Sequence, residues 1–482
     1  MGISLNPSTI LSGQGIDVSS LVQQIITEQS GPISVWQQQD TTLASQNGAL
    51  EGIEDDLTNL QTAVQALADP AGALAGQAAT SSNSSVLTAT AANNAVAGTH
   101  QIVVNNVATV GTLNSTIFSG GVNTSILSGG NTSGDIKLQV GTNASPFDIP
   151  ITQGSNDTLT TLASYINTQS AANNWGVTAN VVSNSSGAVL ELQSQNTGSA
   201  GALSITSNNT SLAFGAGQGA ANAVYTVDGL SFNTSSNTNS TAIQGVTLNL
   251  LSADPGTPVS LAIAPDTSQI STAVNNFVTA YNSLVGDINA QYVVDPTGAT
   301  PAPPLESDVS LRSVQSSILA DAAYSITGNG GFINLASLGI NMNNDGTLTV
   351  GNNASGQSFD QIVASNPSAV QNFFQNASAT GFANNFNTDL TGLTDPTAGP
   401  LNVEVTQNEQ EQNDLTTNIT NFQTQLNSEQ TSLTQQYDSV NASLQGYPLL
   451  LQEITETLGT LGSGTSSSGA LISSEPTLTS GL

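Results

Sequence analysis

"LEGIEDDLTNLQTAVQAL", residues 50–67, decides the architecture of this chain. Leu50, Ile53, Leu57, Leu60, Val64 and Leu67 recur at spacings of three and four, which gathers them on one face of a helix. Glu51, Glu54, Asp55 and Asp56 take the other face. Such a stripe needs a partner, yet the residues that follow, to about position 267, read mostly as strands and turns.

Upstream, Trp36, Leu43, Leu50, Leu57 and Val64 stand at intervals of seven, with Ile53, Leu60 and Leu67 in the complementary position, which is a coiled-coil heptad. A helix over residues 33–69 would be about 55 Å long at the helical rise per residue. Gly48 and Gly52 each cost roughly 1 kcal/mol of helix preference, and Gln39 and Gln46 interrupt the apolar seam, so the first half is the looser one. Before it, Asp17 is placed to cap a helix carrying Leu21, Val22, Ile25 and Ile26, which Gly31 and Pro32 interrupt.

Downstream, after "DPAGALAG", short alternating runs ("HQIVVNNVATV", "DIKLQV", "VTANVVS", "AVLELQSQ", "VYTVDGLSF", "GVTLNLL") describe half-buried antiparallel strands. One helix, "TLTTLASYINTQ", carries Leu159, Leu162 and Ile166 on a face. Helical spacing returns with Ile270, Val274, Phe277, Tyr281, Leu284 and Ile288. A Pro-rich break, the helix-like "SDVSLRSVQSSILADAAYSI", a hairpin "SLGINMNNDGTLTV" and "PSAVQNFFQ" follow. Near the C-terminus Leu415, Ile419, Phe422, Leu426, Leu433, Tyr437, Val440 and Leu444 keep to one face, with Glu429 the single gap. Their period argues for a nearly straight seam.

Two stripes near opposite ends of the chain can pair antiparallel only if everything between them loops out and returns. The expected plan is therefore α+β and multidomain: long terminal helices form a coiled-coil leg and a helical bundle, with two inserted antiparallel β-rich head domains. The leg takes residues 1–42 and 426–482, ending in a flexible Ser/Gly tail; the bundle, with a small hairpin, takes 43–80 and 268–425. The first head domain takes 81–110 and 225–267, and the second, an insertion, 111–224.

Composition removes several functions. Among 482 residues Lys137 and Arg312 are the only strong bases against 33 acids, a formal charge of -31, so phosphate backbones and anionic membranes are poor partners. Acidification would leave the chain near neutrality instead of strongly positive, which suits an acidic habitat. No cysteine means no disulfide, thiolate or cysteine metal site. The N-terminus has neither the basic residues nor the apolar run of a cleaved leader, and no stretch is long and apolar enough for a membrane span, so the chain is cytosolic or leaves by a leaderless route.

Catalytic constellations are scarce, and no enzyme or cofactor is expected. His100, the lone histidine, sits in a strand-like run with no orienting carboxylate in view, so a strand position outweighs a catalytic base. Asn341, Asn343, Asp345 and Gly346 resemble the start of a calcium loop, but Asn352 stands where a bidentate Glu belongs, and a hairpin turn at Asp345-Gly346 is the better reading. Glu306 with Asp308, and Asp55 with Asp56, read as solvated faces rather than a glycosidase pair.

In their order along the chain, "GQGIDVSSLVQQIITEQSGPI", "GTHQIVVNNVA", "GVTANVVSNSSGAVLELQSQNTGSAGALSIT", "VDGLSFNTSSNTNSTAIQGVTLNLL", "DTSQISTAVNNFVTAYNSLV" and "LASLGINMNNDGTLTV" resemble the bacterial flagellar filament cap family (FliD, the filament-capping hook-associated proteins). The resemblance implies a leg that plugs the filament end, a neighbouring helical domain and two β-rich domains forming a plate. It implies a ring of five or six copies riding on the tip, where it guides exported flagellin into place and prevents its loss, next to hook–filament junction proteins. It implies export through the flagellar type III pathway and a cytosolic chaperone on the C-terminal region. The apolar faces named above, on Trp36, Leu43, Leu50, Ile53, Leu57, Leu60, Val64 and Leu67 and on the eight C-terminal positions, are then the expected self-assembly faces, and acidic substitution at Leu43 or Leu57 would abolish tip attachment. Three features depart from the pattern: scarce bases, a long tail, and His100 where an aromatic residue would be usual. The alternative is an adhesin or glycan-binding head on a coiled-coil stalk.

Overall fold

The structure, a computed structural model, describes residues 17–141, 145–293, 295–299, 301–376 and 378–462. The expected Ser/Gly tail, from residue 463 on, and the residues ahead of Asp17 lie outside them. Helices α1 (Val18–Gln29) and α2 (Gly31–Ala68) open the chain. Asp17 caps α1 by accepting from the Ser20 backbone N–H at 3.1 Å. Pro32 sits in the first turn of α2, where its missing N–H has no helical partner to lose. Then follow α3 (Leu159–Asn173), α4 (Thr267–Ala290), α5 (Val309–Ala322), α6 (Phe359–Ser365), α7 (Pro367–Phe374), α8 (Phe382–Leu393) and α9 (Pro400–Gly462). The chain divides into two compact units: Met1–Asp55, Ile288–Val314 and Leu393–Leu482 form the smaller, Asp56–Asp287 and Gln315–Gly392 the larger.

The larger unit holds the two expected β-rich bodies, each with its own core. In the first, a five-stranded antiparallel sheet runs in the order Gln77–Ser81, Val259–Pro265, Gly98–Asn106, Ala223–Val227, Leu230–Thr234. It shares a core, including Ile102, Val104, Tyr225 and Leu261, with Leu87 and Leu248 of a three-stranded sheet made by Thr238–Ile243, Val246–Leu250 and Leu87–Ala91. The run "VYTVDGLSF" is two strands, not one. Asp228 (φ 48°) and Gly229 (φ 86°) turn it back on itself, and this pair of left-handed residues is what a tight hairpin turn requires.

In the second body, a four-stranded sheet and the three-stranded sheet of Phe147–Thr152, Ser133–Val140 and Leu203–Asn208 share a core with Leu159, Leu162 and Ile166 of α3. The edge strand Val177–Asn184 of the four-stranded sheet is covered by α3 side chains. Asn167 donates to the Ala179 carbonyl and accepts from its N–H, both at 2.8 Å, and Ser170 pairs with Val177 in the same way. Over this first half the edge is satisfied and offers little template for a foreign strand, whereas Val182 beyond it is exposed.

The rest of the larger unit is helical. Phe277 of α4, Phe373 and Phe374 of α7, and Phe382 and Phe386 of α8 form an aromatic cluster with mostly edge-on rings. Here Leu57, Leu60, Val64 and Leu67 are wholly buried. Gln61 donates to Thr391 of α8 at 3.2 Å, and the buried Gln375 donates to the carbonyls of Leu67 and Asp69 at 2.6 and 2.7 Å, the first an acceptor in the last turn of α2 that has no helical partner. The opening stripe was expected to lie against the C-terminal helix. Within this unit its second half is instead flanked by α4, whose Thr272, Asn276 and Ala280 line a cavity with Asn59, Thr62 and Ala66, and by α8, through Gln61 and Thr391. The hairpin Ile340–Met342 with Leu348–Val350 is present, with Gly346 at φ 84°.

Candidate functional site

In the smaller unit, α1 and the first part of α2 run antiparallel to α9. Gln23 meets Gln430, Gln29 meets Glu429, Trp36 meets Phe422, and Asn47 meets Asn408, so one number falls as the other rises. Trp36 presents its ring edge-on to Phe422, with centroids 5.6 Å apart. Glu429, the gap in the C-terminal stripe, accepts from Gln29 at 3.1 Å, so the break is filled by a polar contact. A second polar step centres on Asn47, which is buried. It accepts from Asn408 at 2.9 Å and donates to Gln412 at 3.4 Å, while Gln412 donates to the Asp40 carbonyl at 3.3 Å. A buried amide that finds partners in one register only sets that register.

Coverage of the sixteen expected face residues is graded. Leu50, Ile53, Leu57, Leu60, Val64 and Leu67 are buried inside the chain's own fold, as are Leu415 and Leu426. Trp36, Leu43, Ile419, Phe422, Leu433, Tyr437 and Leu444 are half-buried, and Val440 is 49% exposed. Beyond them, α9 carries a run that sequence reading did not single out: Tyr447, Leu449, Leu450, Leu451, Ile454 and Leu458 are all exposed, and Pro448 lies within the helix. The signal was "YPLLLQEITETL" itself, passed over because it follows the last regular repeat.

Trp36→Ala is expected to weaken the seam by roughly 1–3 kcal/mol, from lost apolar burial and the lost ring contact. Unfolding followed by helical circular dichroism should show the loss. Fluorescence of Trp175, stacked on Phe147 in the second β body, should report no change there.

The chemical candidates resolve differently. His100 has an orienting carboxylate after all: its Nδ1 lies 2.7 Å from Asp228. The other Asp228 oxygen accepts from the Gln101 backbone N–H at 2.8 Å, and that bond, followed by His100, holds the carboxyl below its usual range. The pair borders an open cavity of about 590 Å3 lined by Val96, Leu230 and Phe232, with no serine on its wall. It fastens the Asp228-Gly229 turn to the neighbouring strand. Asp345 accepts from the Thr347 hydroxyl and backbone N–H, as a turn residue does. Asp308 caps α5 by accepting from the Leu311 N–H at 2.7 Å. Asp55 is exposed.

Residues 14–110 match the family described as flagellar hook-associated protein 2 N-terminus, and residues 220–446 match its C-terminus. The chain is 30% identical over 454 residues to the B-type flagellar hook-associated protein 2 of Pseudomonas aeruginosa, covering 88% of this chain and 92% of that one. It is 25% identical over 363 residues to the flagellar hook-associated protein 2 of Escherichia coli K12, covering 71% and 75%. The crystal structure of the flagellar cap protein FliD D1-D2-D3 domains from Escherichia coli superposes with a TM-score of 0.55 at 25% identity, covering 75% of this chain and 99% of that one.

Proposed function

The chain belongs to the flagellar hook-associated protein 2 family, and from that membership we propose how its parts serve the cap. It is a structural protein of the flagellar filament cap and acts in filament assembly. The observation that carries the division of labour is the graded coverage of its apolar stripes. They are sealed in the helical bundle, half-covered along the seam, and bare at the end of α9. Residues 1–42 and 426–482 form the leg that engages the filament end, residues 43–80 and 268–425 the bundle, and the two β bodies the outward plate. Five or six copies form a ring that guides flagellin and retains it, with the hook–filament junction proteins as neighbours in the same organelle. The C-terminal region is held by a cytosolic chaperone until the flagellar type III pathway exports the chain. None of the helices among the described residues is long and apolar enough to cross a membrane.

A cap must hold on and still step as subunits are added. A seam built of amides and half-buried side chains suits this, since each hydrogen bond contributes a net 0.5–1.5 kcal/mol or so and no single contact dominates release. No catalytic role is assigned to the chain.

The test is genetic. Bacteria lacking this chain should release flagellin into the medium and carry short filaments or none, and the wild-type chain should restore them. Leu43→Glu should fold yet fail to restore, because Leu43 borders a shallow cavity with Glu411, and a second carboxylate there adds repulsion to lost apolar contact. Normal filaments without the chain would overturn the cap reading; normal filaments with Leu43→Glu would overturn the role of the seam.

A further inference from the structure

Two pairs of acids touch side chain to side chain, one pair in each compact unit. In the smaller unit, Asp308 at the cap of α5 is hydrogen-bonded to Glu404 near the start of α9, and the Ser310 hydroxyl also binds Glu404. Both acids line a polar cavity of about 550 Å3 with Gln46 and Asn408. In the larger unit, Asp321 in the last turn of α5 is 6% exposed and is hydrogen-bonded to Asp389 of α8. Beside it lies Tyr281 of α4, fully buried. Neither the Tyr281 hydroxyl nor Asp321 Oδ2 has a hydrogen-bond partner among the described residues. Ionised carboxylates only accept hydrogen bonds, so two of them can be joined only by a proton.

We propose that each pair is a proton-operated lock: a shared proton joins Asp308 to Glu404 and Asp321 to Asp389, and its loss in alkaline surroundings sets like charges face to face and loosens the helices they join. The surroundings favour the neutral form. Burial, then the bond from Asp389, pushes Asp321 up to about 8, and burial, then Asp308, pushes Glu404 up to about 7. Burial and the Asp321 charge together push the Tyr281 phenol up as well. The group that acts on Asp321 is thus Asp389, with the Tyr281 phenol beside it, and those that act on Glu404 are Asp308 and Ser310. Asp308 also faces Tyr292, whose ring is occupied by the Arg312 guanidinium at 5.6 Å from its centre, while Arg312 donates to the Glu306 carbonyl at 3.3 Å.

The sign follows from proton counting. An acid whose folded-state value lies above its unfolded one binds more protons when folded. Its stabilisation is complete below the unfolded value, near 4, and is lost as pH rises to about 8 for Asp321 and about 7 for Glu404. Each lock is therefore firmest in acid, the reverse of what carboxyls held below their usual range, such as Asp228, contribute.

General repulsion in so acidic a chain would also relax in acid, so the experiment must separate the two. Denaturant unfolding of the full chain between pH 5 and pH 8 should show wild type losing stability, with each lock contributing up to about tenfold in the unfolding equilibrium constant per pH unit. Asp321→Asn and Glu404→Gln carry an amide that donates at every pH, so each should flatten its part of that slope and match or exceed wild type at pH 8. Variants whose profiles run parallel to wild type, or that are weaker at pH 8, would overturn the proposal. Should a variant fail to fold, wild type alone decides. Its infrared spectrum at pH 6.5 should contain the carbonyl stretch of protonated carboxyl groups, vanishing by pH 9, and a spectrum of carboxylates alone at pH 6.5 would overturn the locks.

Discussion

Leu57→Asp is expected to abolish capping by unfolding the helical part of the larger unit, not by removing a contact with the filament. Leu57 has no exposed surface, and Leu60 and Val64 beside it on the same face have none. Removing the side chain forfeits the burial of a leucine and leaves a cavity, together about 2–5 kcal/mol, and a carboxylate placed there has no base to meet. A loss of at least about 4 kcal/mol is large against the roughly 5–15 kcal/mol that hold a domain together. Hydrogen exchange should show α4, α7 and α8 losing protection, while the strand Val177–Asn184 keeps it because its core is separate. Leu43→Glu, on the half-buried seam, should fail in capping with that protection intact. If Leu57→Asp kept its helical protection and failed only in attachment, the stripe would be an assembly face, as its heptad spacing first suggests.

That contrast marks what periodicity can and cannot tell. Spacing showed that one side of residues 50–67 is buried, but a repeat of seven does not name its partner, and the partner here changes along the helix. The strands were legible because alternation and turn residues are local signals. Helix α8 was not: in "FANNFNTDLTGL" the buried Phe382, Phe386 and Leu390 stand four apart, but Asn and Gly between them weaken the helical signal. Gln375, which closes the end of α2 from more than 300 residues away, has no local signature at all.

The chemistry was less legible for the same reason. Acids adjacent in sequence, Glu306 with Asp308 and Asp55 with Asp56, were the pairs that could be weighed. The acids that meet are Asp308 with Glu404 and Asp321 with Asp389, brought together from separate helices. His100 likewise finds its carboxylate 128 residues on, in a turn whose Asp-Gly pair was visible but whose neighbour was not.

Replacing Leu449, Leu450, Leu451 and Leu458 together by Ser is expected to spare the fold and release the cap. These side chains are 58–69% exposed, so exchanging them should move unfolding by no more than the few tenths of a kcal/mol usual for surface sites. Pro448 provides no backbone N–H, so α9 lacks one of its own hydrogen bonds here although the helix continues to Gly462. What association can add is burial, where each leucine contributes about 1.5–3 kcal/mol before the cost of binding is met. After that cost, a net loss of about 4 kcal/mol, on the order of a thousandfold in retention, is a conservative expectation for the fourfold variant. Counting tagged caps at filament ends, alongside flagellin lost to the medium, measures it. Filaments of normal length, capped as often as wild type, would mean that attachment runs through the half-buried seam alone, and that the bare leucines of α9 serve some other purpose.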